Sequence, residues 1–303
     1  MKAFLFPGQG AQTLQMSAEI TAAYPASLIL YKEAEQVTGI DLLNITEEQL
    51  AQTRYSQLAI IVHSVASLEK ERTGSSDTAA SSDAAASVSS ESLGHAGVSS
   101  EPIGLAGFSL GEYTALYAAG IIGFADLLAL VNERARLMQL AADKNPGAMY
   151  AILGLSDDHI EACLSRIDGV YPVNYNCPGQ LVIAGTVEAA EKAAAALLAL
   201  GARRAMKLAV NGAFHSPYMK EAAASLKEFA RSMHFTPAPA AALYSNATAA
   251  LVPADTDIPS YLENHMISPV RFTDEIRRMR LDGYDEFIEL GPGKVLTGLV
   301  KKI

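Results

Sequence analysis

Three residues of this sequence have types and surroundings that could do chemistry together: a serine between glycines, an arginine on an apolar stripe and a histidine on a loop. Ser109 lies in Gly107-Phe108-Ser109-Leu110-Gly111, just after the apolar stretch Ile103 to Ala106 and just before a helical pattern from Leu110 to Ala119. A strand that turns at once into a helix through such a pentapeptide predicts a nucleophile elbow. The glycines let the backbone turn sharply, and the serine hydroxyl is held at a helix N-terminus, facing backbone N–H groups that can stabilise an oxyanion. The same residues fit a second reading, because Ser109-x-x-Glu112 has the spacing of a helix capping box.

A serine nucleophile needs a base. Of the six histidines, His95 falls in a low-complexity stretch, and His63, His159 and His234 fall in or beside helical patterns, which leaves His215 and His265. His215 follows a strand pattern in Asn211-Gly212-Ala213-Phe214-His215-Ser216-Pro217, where Ser216 can cap and Pro217 can start the next helix. Catalytic groups tend to lie on such loops at the carboxyl ends of strands.

Arg134 breaks a pattern. Between Phe124 and Ala142 the apolar stripe runs Phe124, Leu127, Leu128, Val131, Ala135 and Met138; Arg134 falls on it, whereas Glu133 and Arg136 fall on the other face. An inward guanidinium demands an anion, either an internal Asp or Glu or the carboxylate of a substrate.

The elements that must position these groups read as an α/β protein. Lys2 to Phe6 predicts a buried strand, followed by the glycine-rich loop Pro7-Gly8-Gln9-Gly10-Ala11-Gln12 and helical patterns near 14–38 and 56–72. Residues 148–210 give strand 148–153, helix 157–167, strand 170–176, strand 181–185, helix 188–200 and strand 205–210, the β-α-β-β-α-β order of a ferredoxin-like unit. Helix 217–233, strand 242–244, helix 273–280, strand 286–290 and a closing helix follow. The reading is a large α/β subdomain over 1–145 and 211–303, with a small ferredoxin-like subdomain over 146–210 and a cleft at their junction. Residues 73–100 are almost entirely Ser, Ala, Gly and Asp and predict a flexible insertion.

With 303 residues, 50% hydrophobic and 18% charged, the composition is that of a globular protein with a substantial core. The net charge of −10 argues against nucleic acid as a partner. Met1 to Pro7 has the features of neither a signal peptide nor a membrane span, so a cytoplasmic location with no membrane partner is expected. Cys163 and Cys177 supply neither a disulfide framework nor a metal-ligand cluster.

Taken in order, the motifs resemble the malonyl-CoA:acyl carrier protein transacylases and the acyltransferase domains of polyketide synthases. The similarity is carried by Pro-Gly-Gln-Gly-Ala-Gln at 7–12, Gly-Phe-Ser-Leu-Gly-Glu-Tyr at 107–113, Arg134, Pro-Val-Asn-Tyr-Asn-Cys-Pro-Gly-Gln at 172–180, Gly-Ala-Phe-His-Ser at 212–216, Ser-Pro-Val-Arg-Phe at 268–272 and Glu-Leu-Gly-Pro-Gly-Lys-Val-Leu at 289–296. It implies an α/β-hydrolase-like large subdomain with a central, mostly parallel sheet. It also implies malonyl transfer from malonyl-CoA to the phosphopantetheine thiol of acyl carrier protein in fatty acid or polyketide biosynthesis, without cofactor or metal, by a monomer.

In that resemblance Ser109 is the nucleophile and His215 the base, with the N–H groups of Gln9 and Leu110 as oxyanion hole and Arg134 as carboxylate clamp. A backbone carbonyl near His265 orients His215, and Phe214 marks a preference for malonyl over methylmalonyl groups. Asn174 and Asn176 border the cleft with no assigned role. Phe108 stands where the family usually has histidine, with an expected effect on acyl selectivity, and His265 stands where glutamine is common. Arg203, Arg204, Lys207, Arg277 and Lys294 are the cations expected to meet an acidic carrier protein. A serine hydrolase and a catalytically silent scaffold are the competing readings. The order Ser109, then His215 far from the C-terminus, disfavours the first, and the joint presence of Ser109, His215, Arg134 and Gln9 disfavours the second.

Overall fold

The computed structural model describes residues 1–74, 103–237 and 241–303. Two four-stranded sheets organise it. The first is parallel throughout, in the order β7 (Ala242–Leu243), β2 (Gly104–Gly107), β1 (Lys2–Phe6), β8 (Glu286–Glu289). A parallel sheet needs cover on both faces, and the alternation of side chains supplies two apolar faces. Phe4, Phe6, Leu105 and Leu243 point into one core with the helices α4 (Thr53–Gly74) and α6 (Phe124–Lys144). Ala3, Leu5 and Ala106 point into a second core with α11 (Phe272–Leu281) and α12 (Val295–Val300). Helices α1 (Met16–Ala23), α2 (Leu28–Thr38) and the short α3 (Glu47–Leu50) lead from β1 to α4, and α5 (Gly111–Ala118) joins β2 to α6.

The second sheet is antiparallel, in the order β4 (Val170–Cys177), β5 (Gln180–Thr186), β3 (Gly147–Leu153), β6 (Arg204–Lys207). With α7 (Asp157–Leu164) and α8 (Val187–Ala199) crossing between strands, the chain order is β-α-β-β-α-β, as the sequence predicts. Thr186 caps α8 by accepting from Ala189 N at 3.1 Å. The antiparallel sheet is tied to the segment before α11, where Tyr175 N donates to Val270 O and Val270 N to Val173 O, each at 2.8 Å.

The differences from expectation have local causes. β6 stops at Lys207 rather than 210 because Val210 N bonds back to Leu208 O at 2.9 Å, a tight turn that takes the chain out of the sheet. The helix expected over 217–233 is a 3₁₀ turn, Pro217–Met219, followed by α9 (Lys220–Ala230), with Ser216 Oγ accepting from Tyr218 N at 3.3 Å. α10 (Ile258–Ile267) was not anticipated, although its start is marked by Asp257, whose side chain accepts from Ser260 N at 3.1 Å, and by Pro259. His265 therefore lies in the last turn of a helix. Beyond the last turn of α4, which reaches Gly74, the expected 73–100 insertion lies outside the described residues.

Candidate active site

Ser109 sits between β2 and α5 with φ 51°, a left-handed conformation uncommon for a residue with a side chain. The geometry depends on glycine at 107 and 111, because a Cβ at Gly107 would strike the backbone of Gly111 and Glu112, and one at Gly111 the carbonyl of Phe6. The capping-box reading fails here. α5 begins from Leu110 without a side-chain cap, and the Glu112 carboxylate turns away to accept from Asn246 N at 2.7 Å and from the Tyr261 hydroxyl.

His215 arrives from the loop after β6, itself at φ 58°. Its Nε2 lies 2.7 Å from Ser109 Oγ and its Nδ1 3.1 Å from the carbonyl of Ser268. A carbonyl can only accept, so Nδ1 carries the proton and Nε2 is left bare to accept from the serine hydroxyl. Burial, and then the nearby charge of Arg134, push the His215 imidazole down to about 4, which keeps it a neutral base at physiological pH. The orienting carbonyl belongs to Ser268, near His265 as expected, and the backbone of His265 also supports the imidazole. The His265 ring stands edge-on to His215 with centroids 5.6 Å apart. Both its nitrogens are buried without a hydrogen-bond partner, and burial holds it well below the usual histidine range.

Arg134 is 1% exposed and aims at the same serine. Its Nη2 donates to Ser109 Oγ at 3.3 Å, Nη1 donates to Gln57 Oε1 at 2.8 Å, and the guanidinium lies 4.9 Å from the Tyr113 ring centroid. None of the ion pairs among the described residues includes it, and its Nε is buried without a partner. An internal carboxylate does not neutralise this charge. A buried guanidinium 3.3 Å from a serine hydroxyl, with one donor still unfilled, can take up a further anionic partner.

The loop bearing Gln9 is pressed against the elbow, since a Cβ at Gly8 would collide with the carbonyl of Phe108. Among the described residues neither Gln9 N nor Leu110 N has a hydrogen-bond partner, whereas Ser109 N is occupied by Asn246 Oδ1 at 2.7 Å. Phe214 is buried in the core on the α4 and α6 side, its ring folded over Gly212. Phe108 goes elsewhere. Its ring packs edge-to-face on Phe272 at 5.5 Å and joins the core on the other face of the parallel sheet, away from Phe214. Asn174 and Asn176 are buried on β4 with their side-chain oxygens unpartnered. Of the expected docking cations, Lys207 pairs with Glu191 at 3.2 Å and Arg277 with Asp274 at 3.7 Å, while Arg203, Arg204 and Lys294 are exposed.

Sequence reasoning did not find Gln57 or Asn246, and it included Tyr113 and Ser268 only as members of motifs, without a role. Gln57 sits on an apolar helix in the manner of Arg134, and Asn246 follows a short strand at its carboxyl end; these positions mark the two residues as unusual but do not show their partners. Among the described residues no cluster of His, Cys, Asp and Glu could hold a metal ion.

The sequence profile of acyl transferase domains matches residues 83–302. Malonyl CoA-acyl carrier protein transacylase of Escherichia coli (strain K12) is 39% identical over 308 residues, covering 99% of this chain and 92% of the relative. The chain belongs to the malonyl-CoA:acyl carrier protein transacylase family. Two solved structures of the transacylase family superpose on it almost end to end. The crystal structure of MCAT from Streptococcus pneumoniae has a TM-score of 0.84 at 37% identity, covering 100% of this chain and 92% of that one. A malonyl-transacylase in complex with a type II PKS acyl-carrier protein has a TM-score of 0.87 at 35% identity, covering 99% and 92%. Of the motifs that carry the family resemblance, the loop at 7–12, Arg134 and the segment of His215 meet the Ser109 elbow in this transacylase.

Proposed function

We propose that this chain moves a malonyl group from malonyl-CoA to the phosphopantetheine thiol of an acyl carrier protein, through a malonyl ester on Ser109, in fatty acid or polyketide biosynthesis. Arg134 carries the reading: a buried guanidinium without an internal carboxylate, 3.3 Å from the nucleophile, selects an acyl group that ends in a carboxylate.

In the first half-reaction Ser109 Oγ gives its proton to His215 Nε2 and attacks the thioester carbon, with the developing oxyanion facing the N–H groups of Gln9 and Leu110. The C–S bond breaks, and His215 returns the proton to the departing CoA thiolate. In the second half the carrier thiol gives its proton to His215 and attacks the ester. The C–O bond breaks, and the proton returns to Ser109. Nucleophile, base and countercharge all come from one chain, so a monomer without cofactor or metal suffices. The reaction belongs to the cytoplasm, where CoA thioesters and carrier proteins meet. No helix among the described residues is long and apolar enough to cross a membrane.

Intact mass measurement after brief mixing with malonyl-CoA tests the reading. A malonyl adduct should appear on wild type and be absent from Ser109→Ala, and holo carrier protein should discharge it faster than water does. Discharge to water at an equal rate would make the protein a hydrolase.

A further inference from the structure

Behind the nucleophile lies a buried polar cluster that the transfer chemistry does not use. Asn246, 1% exposed, is its hub, and every polar group it has is engaged. Its side-chain Oδ1 accepts from Ser109 N at 2.7 Å, and Nδ2 donates to Gly107 O at 2.5 Å and to Glu275 Oε2 at 2.9 Å. Its backbone N donates to Glu112 Oε2 at 2.7 Å, and its backbone O accepts from Arg271 N at 2.9 Å. The orientation of the carboxamide is unambiguous, because a flipped amide would set an NH₂ against the Ser109 N–H and an oxygen against the Gly107 carbonyl.

The contacts to Gly107 and Ser109 span the bend of the elbow. One is the last residue of β2; the other has the left-handed backbone, a conformation that persists only where its surroundings over-determine it. The Ser109 N–H, which could otherwise compete for an oxyanion, is taken up by the same side chain. We propose that Asn246 is a positioning residue for the nucleophile: its carboxamide fastens Ser109 N to Gly107 O across the elbow, aims Oγ at His215 and leaves Leu110 and Gln9 as the N–H groups that face the reacting carbonyl.

Glu112 and Glu275 hold Asn246 in turn, and burial raises both carboxyls, Glu112 to about 8 and Glu275 well above its ordinary range. Glu275 Oε1 has no partner, as suits a neutral acid better than a charged one. The proposal rests on Ser109 being acylated by malonyl-CoA, so wild-type acylation is the control that tests that reading separately.

Single-turnover acylation of Ser109 by malonyl-CoA, expressed per folded molecule, tests the role of Asn246. In Asn246→Ala the acylation rate constant at saturation should fall roughly 10- to 100-fold, as expected for a misaimed nucleophile, while half-saturation stays within about threefold, because Arg134 is untouched. A rate constant within about twofold of wild type would overturn the proposal, as would a rise in half-saturation at unchanged rate. Should the alanine variant fail to fold, Asn246→Asp carries the test. When protonated its carboxyl can still donate to Gly107 O and accept from Ser109 N; when ionised it cannot donate. Its deficit relative to wild type should deepen as pH rises from about 5 to about 9, the range of a buried carboxyl. A deficit independent of pH, or none, would count against the role.

Discussion

Arg134 makes the boldest statement of any single residue, because the fold buries a cation and gives it no carboxylate. Replacing it with alanine removes a charge-assisted contact of about 2 to 3 kcal/mol, so kcat/KM for malonyl-CoA should fall roughly 30- to 150-fold. Acetyl-CoA, which has no terminal carboxylate, should lose far less. A steady-state comparison of the two thioesters checks this, and equal losses would remove Arg134 from substrate recognition. His215 makes a second prediction. Its neutral form is the base, and its imidazole lies near 4 rather than at the ordinary 6.5. The acid limb of kcat/KM for malonyl-CoA should therefore fall near pH 4, with little loss between pH 8 and 5. The same shift acts on stability. The unfolded chain binds a proton on this histidine between pH 6.5 and 4 and the folded chain does not, so folding weakens as pH falls through that window and the contribution is intact above it. Phe214, buried beside His215, should keep methylmalonyl-CoA disfavoured. One methyl group is worth about 1 to 3 kcal/mol, and Phe214→Ser should raise the methylmalonyl to malonyl ratio of kcat/KM about tenfold.

At the scale of elements, the outcome for Phe108 illustrates what sequence can and cannot show. Its place where the family usually has histidine suggested an effect on acyl selectivity, but a strand turns alternate residues to opposite faces, and at the end of β2 the side chain of 108 falls on the side of Ala106 and Phe272. Phe108→His should consequently lower the thermal midpoint by about 2 to 3 degrees, since a polar ring replaces an apolar contact of about 1 to 2 kcal/mol, and leave the malonyl to acetyl preference within about twofold. Activity and melting measurements on one preparation separate the two effects. The elbow, the arginine on its stripe and the ferredoxin-like unit were legible because each is a local pattern of glycines or of period. Gln57, Asn246 and Ser268 were not, because each matters only through a partner distant in sequence: 77 residues separate Gln57 from Arg134, 137 separate Asn246 from Ser109, and 53 separate Ser268 from His215. α10 was missed although Asp257 and Pro259 marked its start, because its ten residues lie a long loop beyond the short strand β7 and carry a weak apolar stripe.

For the whole molecule, the paired bonds of Val270 to Val173 and Tyr175 form a seam between the antiparallel sheet and the segment that leads from α10 to α11 of the large subdomain. Ser268, whose carbonyl holds the His215 tautomer, lies two residues before that seam. Val270→Pro deletes the Val270 N donor and should lower kcat as well as the melting temperature, whereas a seam that serves only stability would leave kcat per folded molecule unchanged. The order of strands has another consequence, in time. β1, from the first residues, lies between β2 and β8, and β8 comes from the last twenty or so residues before the C-terminus. The loop of Gln9 leaves the end of β1, while Ser109, His215 and Ser268 arrive from three further parts of the chain. No early portion of a growing polypeptide contains a working site, and contacts between such distant segments form slowly. Competence to be acylated is thus a property of the finished chain alone: on refolding, reactivity of Ser109 toward malonyl-CoA should return with the slowest phase, behind the recovery of helix.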